Sequence, residues 1–382
     1  LSRKIRHNST KNLEKVKKKD ILPFFKLIGK IALAAIIPIG LMVFTYIVDP
    51  LQYYRPASGY MTRFYPEERY QNPAIAHSYK YDTVVVGTSM SENISIDKLK
   101  SDYGLNAIRQ TFAGSSVFEQ RSGLDVALRT GQVKNVIWEL NFTSFGGADN
   151  KPKDSKAIFP YYLYDNNPFD KVEYLLDPVQ LERAWQIVTN PLPQSTLISN
   201  HEMEILNVWE TWFPYGAQYV WADFNQQRGN GAFDNTTAVQ STYSMTNIDN
   251  NFVTNVFDVV KANPNVQFVF YFAPFSVLEH ASYEMQGIFE NELEFRKLAF
   301  YGLSQFNNVR VIDFQGDNDT ITNLDLYKDK MHYSPVVTND VLYTIMSGFD
   351  TKPSEFEFKQ NDLINIVNKT MEDLKESNYT SI

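Results

Sequence analysis

The sequence predicts an α/β protein: a parallel sheet with helices on both faces and a large insertion, preceded by one transmembrane helix. Three observations carry that reading. Four short runs, 82–87 (DTVVVG), 133–140 (VKNVIWEL), 266–272 (VQFVFYF) and 309–314 (VRVIDF), are rich in β-branched and aromatic residues with apolar stretches, as strands buried on both faces are. Segments of helical length and spacing separate them, which makes βαβ units. Residues 31–48 (IALAAIIPIGLMVFTYIV) run 18 positions without a charge.

The last run explains an uneven charge. The chain has 382 residues, with 36 basic and 44 acidic side chains and a net charge of −8. Residues 1–30 alone hold ten basic and two acidic residues, +8, leaving −16 on the remainder. A basic segment (1–20) before an apolar helix (21–48) is the signature of a cytoplasmic N-terminus and a single span in the plasma membrane. Lys26 and Lys30 can snorkel to the interface, and Tyr46, Tyr53 and Tyr54 suit an interfacial belt. No small-x-small cleavage site follows the apolar run, so the anchor is expected to stay uncleaved, with the rest of the chain outside the cell. The chain opens on Leu1, so a further N-terminal stretch is expected. Without cysteine, disulfides and thiolate chemistry are excluded. The acidic body argues against nucleic acid as a partner.

Residues 49–80, rich in Tyr, Pro and Arg without a steady period, read as a juxtamembrane connector, and 81–350 as the main domain. After the first strand, helices are expected at 96–103, ended by Gly104, and at 116–129, closed by Gly131. The insertion, 142–250, is expected to hold helices at 170–188 and near 197–209, then an aromatic, Asn/Gln-rich stretch at 212–233. Further helices are expected at 251–261, stopped by Asn263-Pro264, at 284–306 and at 336–347. Residues 351–382 form a polar, helical tail, and no internal repeat is visible.

In such sheets chemistry sits in the loops after the carboxyl ends of the strands. The first loop reads Gly87-Thr88-Ser89-Met90-Ser91-Glu92-Asn93, where Gly87 allows a sharp turn that raises the Ser89 hydroxyl and backbone N–H above the sheet. The same residues also read as an N-capping serine cluster. Gly114 could offer an N–H to a ligand or be a turn glycine. Asn141 could donate its amide to an oxyanion or simply end a strand. Before the last helix, Asp329 and His332 stand three apart, so the carboxylate can orient an imidazole that takes a proton from serine.

Gly87-Thr88-Ser89, Gly114, Asn141 and Asp329-x-x-His332, in that order, resemble the four blocks of the SGNH (GDSL-type) hydrolases. Gly-Thr-Ser in place of Gly-Asp-Ser resembles the membrane-anchored cell-envelope branch, which includes alginate O-acetylation and teichoic-acid D-alanylation proteins. Tyr327-Lys-Asp-Lys-Met-His-Tyr-Ser-Pro335 is the most specific part. The likeness spans about 80–140 and 255–350, and Asn141 lacks the family's glycine-x-asparagine-aspartate context. The resemblance implies a flavodoxin-like sheet, with Ser89 as nucleophile, His332 as base and Asp329 as its orienter. Ser89, Gly114 and Asn141 would form the oxyanion hole.

Trp209, Trp212, Phe213, Tyr215, Tyr219, Trp221 and Phe224 read either as core of the insertion or as a sugar-stacking platform, with Trp209, Trp212, Tyr215 and Trp221 as candidate contacts. His201-Glu202-Met203-Glu204 lacks the second histidine of a zinc-protease helix. The histidines (7, 77, 201, 280 and 332) have no metal-ligand spacing, and Asp317-Asn318-Asp319 lacks the later calcium-loop positions. Neither a metal nor an organic cofactor is expected. His280 is a rival base or a surface residue.

The expected activity is a serine O-acyltransferase or esterase acting outside the membrane on a cell-envelope polysaccharide or teichoic-acid-like polymer, with an integral-membrane acyl-donor partner. The alternative is a non-catalytic glycan-binding or scaffold subunit of a membrane acylation complex. A lipid esterase is weaker, since no long apolar lid segment follows the anchor.

Overall fold

The apolar runs do become strands, and a fifth joins them. The computed structural model describes residues 2–57, 64–153, 159–190, 203–204 and 206–376, with the backbone path alone for 2–22, 24 and 376. The strands are β1 (Thr83–Gly87), β2 (Ala107–Thr111), β3 (Asn135–Leu140), β4 (Gln267–Phe272) and β5 (Val309–Asp313). All pairings are parallel, in the order β2-β1-β3-β4-β5, and helices surround the sheet. This is the flavodoxin-like order, and its reversal lies between β1 and β3. Gly87 pairs with Thr111, Leu140 with Phe272, and Phe272 with Asp313, so one edge gathers the carboxyl ends of all five strands.

The chain divides into two compact units. One comprises Leu1–Pro50 and Asn166–Gln194. Its long helix runs unbroken from Ser2 to Val48 through Pro23 and Pro38. Within it, Phe25–Val48 is 24 residues long with a mean hydropathy of 2.5. At 1.5 Å per residue that is about 36 Å, enough for a hydrocarbon core of about 30 Å. Leu33, Ile36 and Ile37 are largely exposed, as side chains facing lipid would be. Helices Lys171–Leu176 and Pro178–Thr189 complete this unit, and the buried Tyr174 hydroxyl donates to Asp49 at 2.7 Å. The sequence led us to expect one helix over 170–188. Asp177-Pro178 divides it, because proline disfavours helix at the residue before it and suits the first turn of the next.

The other unit, Leu51–Asp165 with Ser195–Ile382, contains the sheet. β2 (AIRQT) escaped the sequence reading because its centre is Arg109-Gln110. Both are buried, and Arg109 stays solvated by the carbonyls of Ile94, Met203 and Glu204 and by the Glu204 carboxylate. A helix at Glu68–Ser78 likewise occupies what read as connector, despite Pro73. The helix expected over 284–306 is two, Val277–Met285 and Phe289–Ser304, parted at Gly287 with φ +70°. That over 251–261 contains a π turn at Val253–Phe257, where Asn251 and Asn255 donate to the carbonyls of Phe145, Gly147 and Asp149. Helices Ile96–Tyr103, Val117–Arg129, Pro335–Met346 and Pro353–Glu376 lie where the pattern places them. The segment near 197–209 falls largely outside the described residues.

Candidate active site

β1 ends at Gly87 with φ +157°, a conformation that favours glycine. A side chain there would also collide with the Ser91 hydroxyl and, at 2.6 Å, with the Glu139 carboxylate. Thr88 then caps the short helix Ser89–Glu92, which puts Ser89 in the first turn at the sheet's carboxyl edge.

Glu139 is the residue that sequence reasoning missed. It is fully buried in β3, directly beneath this turn. Its carboxylate accepts the Thr88 N–H at 2.8 Å, the Thr88 hydroxyl at 3.0 Å and the Ser91 hydroxyl at 2.9 Å. Tyr271 supports Ser91 from β4 at 2.8 Å. Burial pushes the Glu139 carboxyl up, against the lowering effect of the hydrogen bonds from Thr88, Ser91 and Asn141. The available signal was one acid inside an otherwise apolar strand, since a fully buried charge is rare unless paired or hydrogen-bonded.

The partner loop is built around a bridge between Tyr327 and Tyr333, closed by Lys328 N–H on the His332 carbonyl at 3.0 Å. Both tyrosines are buried. Tyr327 donates to the Pro274 carbonyl at 2.8 Å, and Tyr333 to that of Met90 at 3.3 Å. Ser276 holds the Lys330 carbonyl through its hydroxyl at 2.7 Å. The loop is thus fastened to the end of β4 and to the Ser89 helix before Pro335 opens the next helix.

Within that frame His332 Nε2 lies 2.8 Å from Ser89 Oγ, although the two are 243 positions apart in the chain. His332 Nδ1 lies 2.9 Å from both Asp329 carboxylate oxygens. Asp329 also accepts the backbone N–H groups of Met331 and His332 at 2.9 Å, and the Lys328 ammonium at 2.8 Å. Burial alone would raise the Asp329 carboxyl. The hydrogen bond and charge of His332, with those of Lys328, hold it well below the usual carboxylate range. An anionic Asp329 favours Nδ1–H on the imidazole, leaving Nε2 free to accept from serine.

The two other predicted donors stand on neighbouring strand ends. Gly114, with φ +60°, is at the exposed turn after β2. Asn141 is buried after β3, and its side-chain oxygen accepts the Thr143 N–H at 3.0 Å and the Thr143 hydroxyl at 2.9 Å. Neither forms a hydrogen bond with Ser89 or His332 among the described residues.

Of the aromatic candidates, Trp209 comes to the centre. It is buried, its indole N–H donates to the Ser89 carbonyl at 2.8 Å, and its ring meets His332 edge-on at 5.0 Å. Lys328 lies over Trp209 and Phe213, 5.0 and 4.4 Å from the ring centroids. Trp212 is 68% exposed, the Tyr215 hydroxyl donates to the Glu210 carbonyl, and Trp221 packs edge-on against Phe224. His280 is not a surface residue: it is fully buried, with Nδ1 3.0 Å from Glu292. Leu278, Glu279, Ala281 and Ser282 are buried with it, since the helix Val277–Met285 is covered on nearly every side. His201 and Glu202 lie outside the described residues. No group of three or more metal-ligating side chains occurs among the described residues.

No protein-family model matches the chain, and no curated protein matches it. Among solved structures it is similar to one titled "The structure of a putative platelet activating factor from Streptococcus pneumonia", at 10% identity and a TM-score of 0.37. That match covers 73% of this chain and 91% of the other.

Proposed function

We propose that this chain is a membrane-anchored serine O-acyltransferase or esterase of the SGNH type, working outside the cell membrane on a cell-envelope polysaccharide or teichoic-acid-like polymer. The observation that carries the proposal is the unbroken relay Ser89–His332–Asp329, with links of 2.8 and 2.9 Å. Ser89 Oγ attacks an acyl carbonyl while its proton passes to His332 Nε2. Asp329 orients the ring and offsets the charge it gains. The Ser89 and Gly114 N–H groups and the Asn141 amide would receive the oxyanion. Collapse of the tetrahedral intermediate expels the donor's leaving group, which takes the proton from His332. A sugar hydroxyl or water then gives its proton to His332 and its oxygen to the acyl carbon, and Ser89 is released with its proton restored. The sugar hydroxyl gives transfer and water gives hydrolysis. Trp209 now belongs to the frame of the relay, so stacking on a glycan falls to the exposed Trp212, with Tyr215 and Trp221 near it in sequence.

The Phe25–Val48 helix and its basic N-terminal flank support a single-pass anchor with a cytoplasmic N-terminus; the acyl group would come from an integral-membrane donor. One observation favours a second reading, a non-catalytic glycan-binding or scaffold subunit: the Asn141 side-chain oxygen is engaged within its own loop by the Thr143 N–H and hydroxyl. Turnover of an activated acyl ester by the wild type and by Ser89→Ala separates the two. The proposal expects turnover that the variant loses; equal rates would defeat it.

A further inference from the structure

The span-length helix is not bare on every side. Ala35, Pro38, Met42, Thr45 and Val48, spaced by three and four, are half-buried or buried and form one face. Ile36, Ile39, Val43 and Ile47, on the other side, are exposed. The helices Lys171–Leu176 and Pro178–Thr189, of the same compact unit, pack against this long helix and against each other. The Tyr174 hydroxyl ties them to Asp49, just past Val48. From Ala35 to Val48 the covered face runs about 20 Å along the axis. The span exceeds a hydrocarbon core by only about 6 Å. Even if all of that excess projected at the Val48 end, most of the covered face would lie within the bilayer.

The outer surface of the helix pair is apolar where a surface facing water would be polar. In Pro178–Thr189 the arginine turns inward: Gln180, Arg183, Ala184 and Ile187 are buried. Trp185 is 62% exposed, Val188 is exposed three positions on, and the half-buried Leu181 stands four positions before Trp185. Phe169, just ahead of the first helix, is 81% exposed. A surface helix of a soluble domain places such residues the other way round, with its charged side chains out and its large apolar ones in. Glu182 and Gln186, bonded to each other at 3.1 Å, make a separate polar strip beside the apolar one. Two such strips suit a helix at the boundary between acyl chains and headgroups, where tryptophan is favoured.

We propose that the helix pair docks into the lipid bilayer, with Leu181, Trp185 and Val188 meeting the acyl chains of the leaflet at the Val48 end of the span. The insertion thereby gives the protein a second membrane contact. The occupant is lipid because a helix packed against the part of a span inside the bilayer shares its surroundings. The proposal rests on reading Phe25–Val48 as a span, and not on acyl transfer. The chain has no cysteine. Single Trp185→Cys, Val188→Cys and, within the span, Ile36→Cys variants of the full-length protein can therefore each carry an NBD fluorophore in phosphatidylcholine vesicles. The quenchers are lipid with a nitroxide on its acyl chain, and aqueous iodide. The nitroxide lipid should quench labels at 185 and 188 to within about twofold of the label at 36, and iodide should quench them at least about fivefold less than free dye. Labels at 185 and 188 quenched by iodide and not by lipid, beside a lipid-quenched label at 36, would overturn the docking and leave the span standing. Labels reached by neither quencher would place protein, a second copy or another subunit, over the stripe and would also overturn it. A label at 36 that lipid does not quench would defeat the span, and the docking with it.

Discussion

Glu139 shows how one side chain can fix a turn. Three donors from Thr88 and Ser91 converge on it, so its removal strands buried polar groups instead of merely leaving space. Glu139→Ala is expected to cost about 3 kcal/mol in urea unfolding, and Glu139→Gln, which keeps an acceptor oxygen, clearly less. Equal losses would mean that the carboxylate's hydrogen bonds are not what holds the turn. Ser89, Asp329 and His332 were legible because each lies in a strand-end loop and their spacing follows the chemistry of a relay. Glu139 was not, since its meaning lies in contacts with residues far along the chain, which spacing does not record. The Thr88 hydroxyl, bonded to Glu139, gives the residue before Ser89 a local function.

At the scale of elements, the loop from Tyr327 to Ser334 has to present His332 without the help of a strand. Its rigidity comes from the Tyr327–Tyr333 bridge and from Tyr327 on the Pro274 carbonyl. Tyr327→Phe removes that one buried hydrogen bond and leaves the ring in place. It is expected to cost about 1 kcal/mol of stability and to lower kcat more than it changes KM, as loosening of the His332 loop would. A variant with wild-type kcat would show that the other fastenings suffice. Four of the five strands could be read from their apolar runs; β2 could not, because its Arg109 and Gln110 are buried by virtue of partners far away in sequence. The Glu68–Ser78 helix was hidden by Pro73 and by the lack of a steady apolar period. Breaks at Pro178 and Gly287 follow ordinary local rules, but the apolar periodicity on either side masked them.

Across the whole molecule, buried acids give stability a distinct pH dependence. Glu92 is pushed up from 4.5 to about 10, and Glu139 is raised too, both chiefly by burial. Folding therefore takes up protons: Glu92 makes stability fall as pH rises from about 4.5 to about 10, and Glu139 acts in the same direction. Asp329, held low, contributes stability that is present above its ordinary pKa and lost on acidification. Melting temperature followed against pH should decline on the alkaline side, and E92Q should flatten that decline; an identical slope in the variant would exclude Glu92 as its source. The net charge of −8 conceals a basic flank beside a span-length helix and an acidic body around the sheet, so a local, not a global, surface must recognise any anionic polymer. The central claim is that Ser89 is an activated nucleophile. Treatment of the full-length protein with a fluorophosphonate, followed by peptide mapping, tests it most directly. One adduct on Ser89, absent from His332→Ala, is the expected result; a folded wild type left unlabelled, or labelled elsewhere, would contradict it.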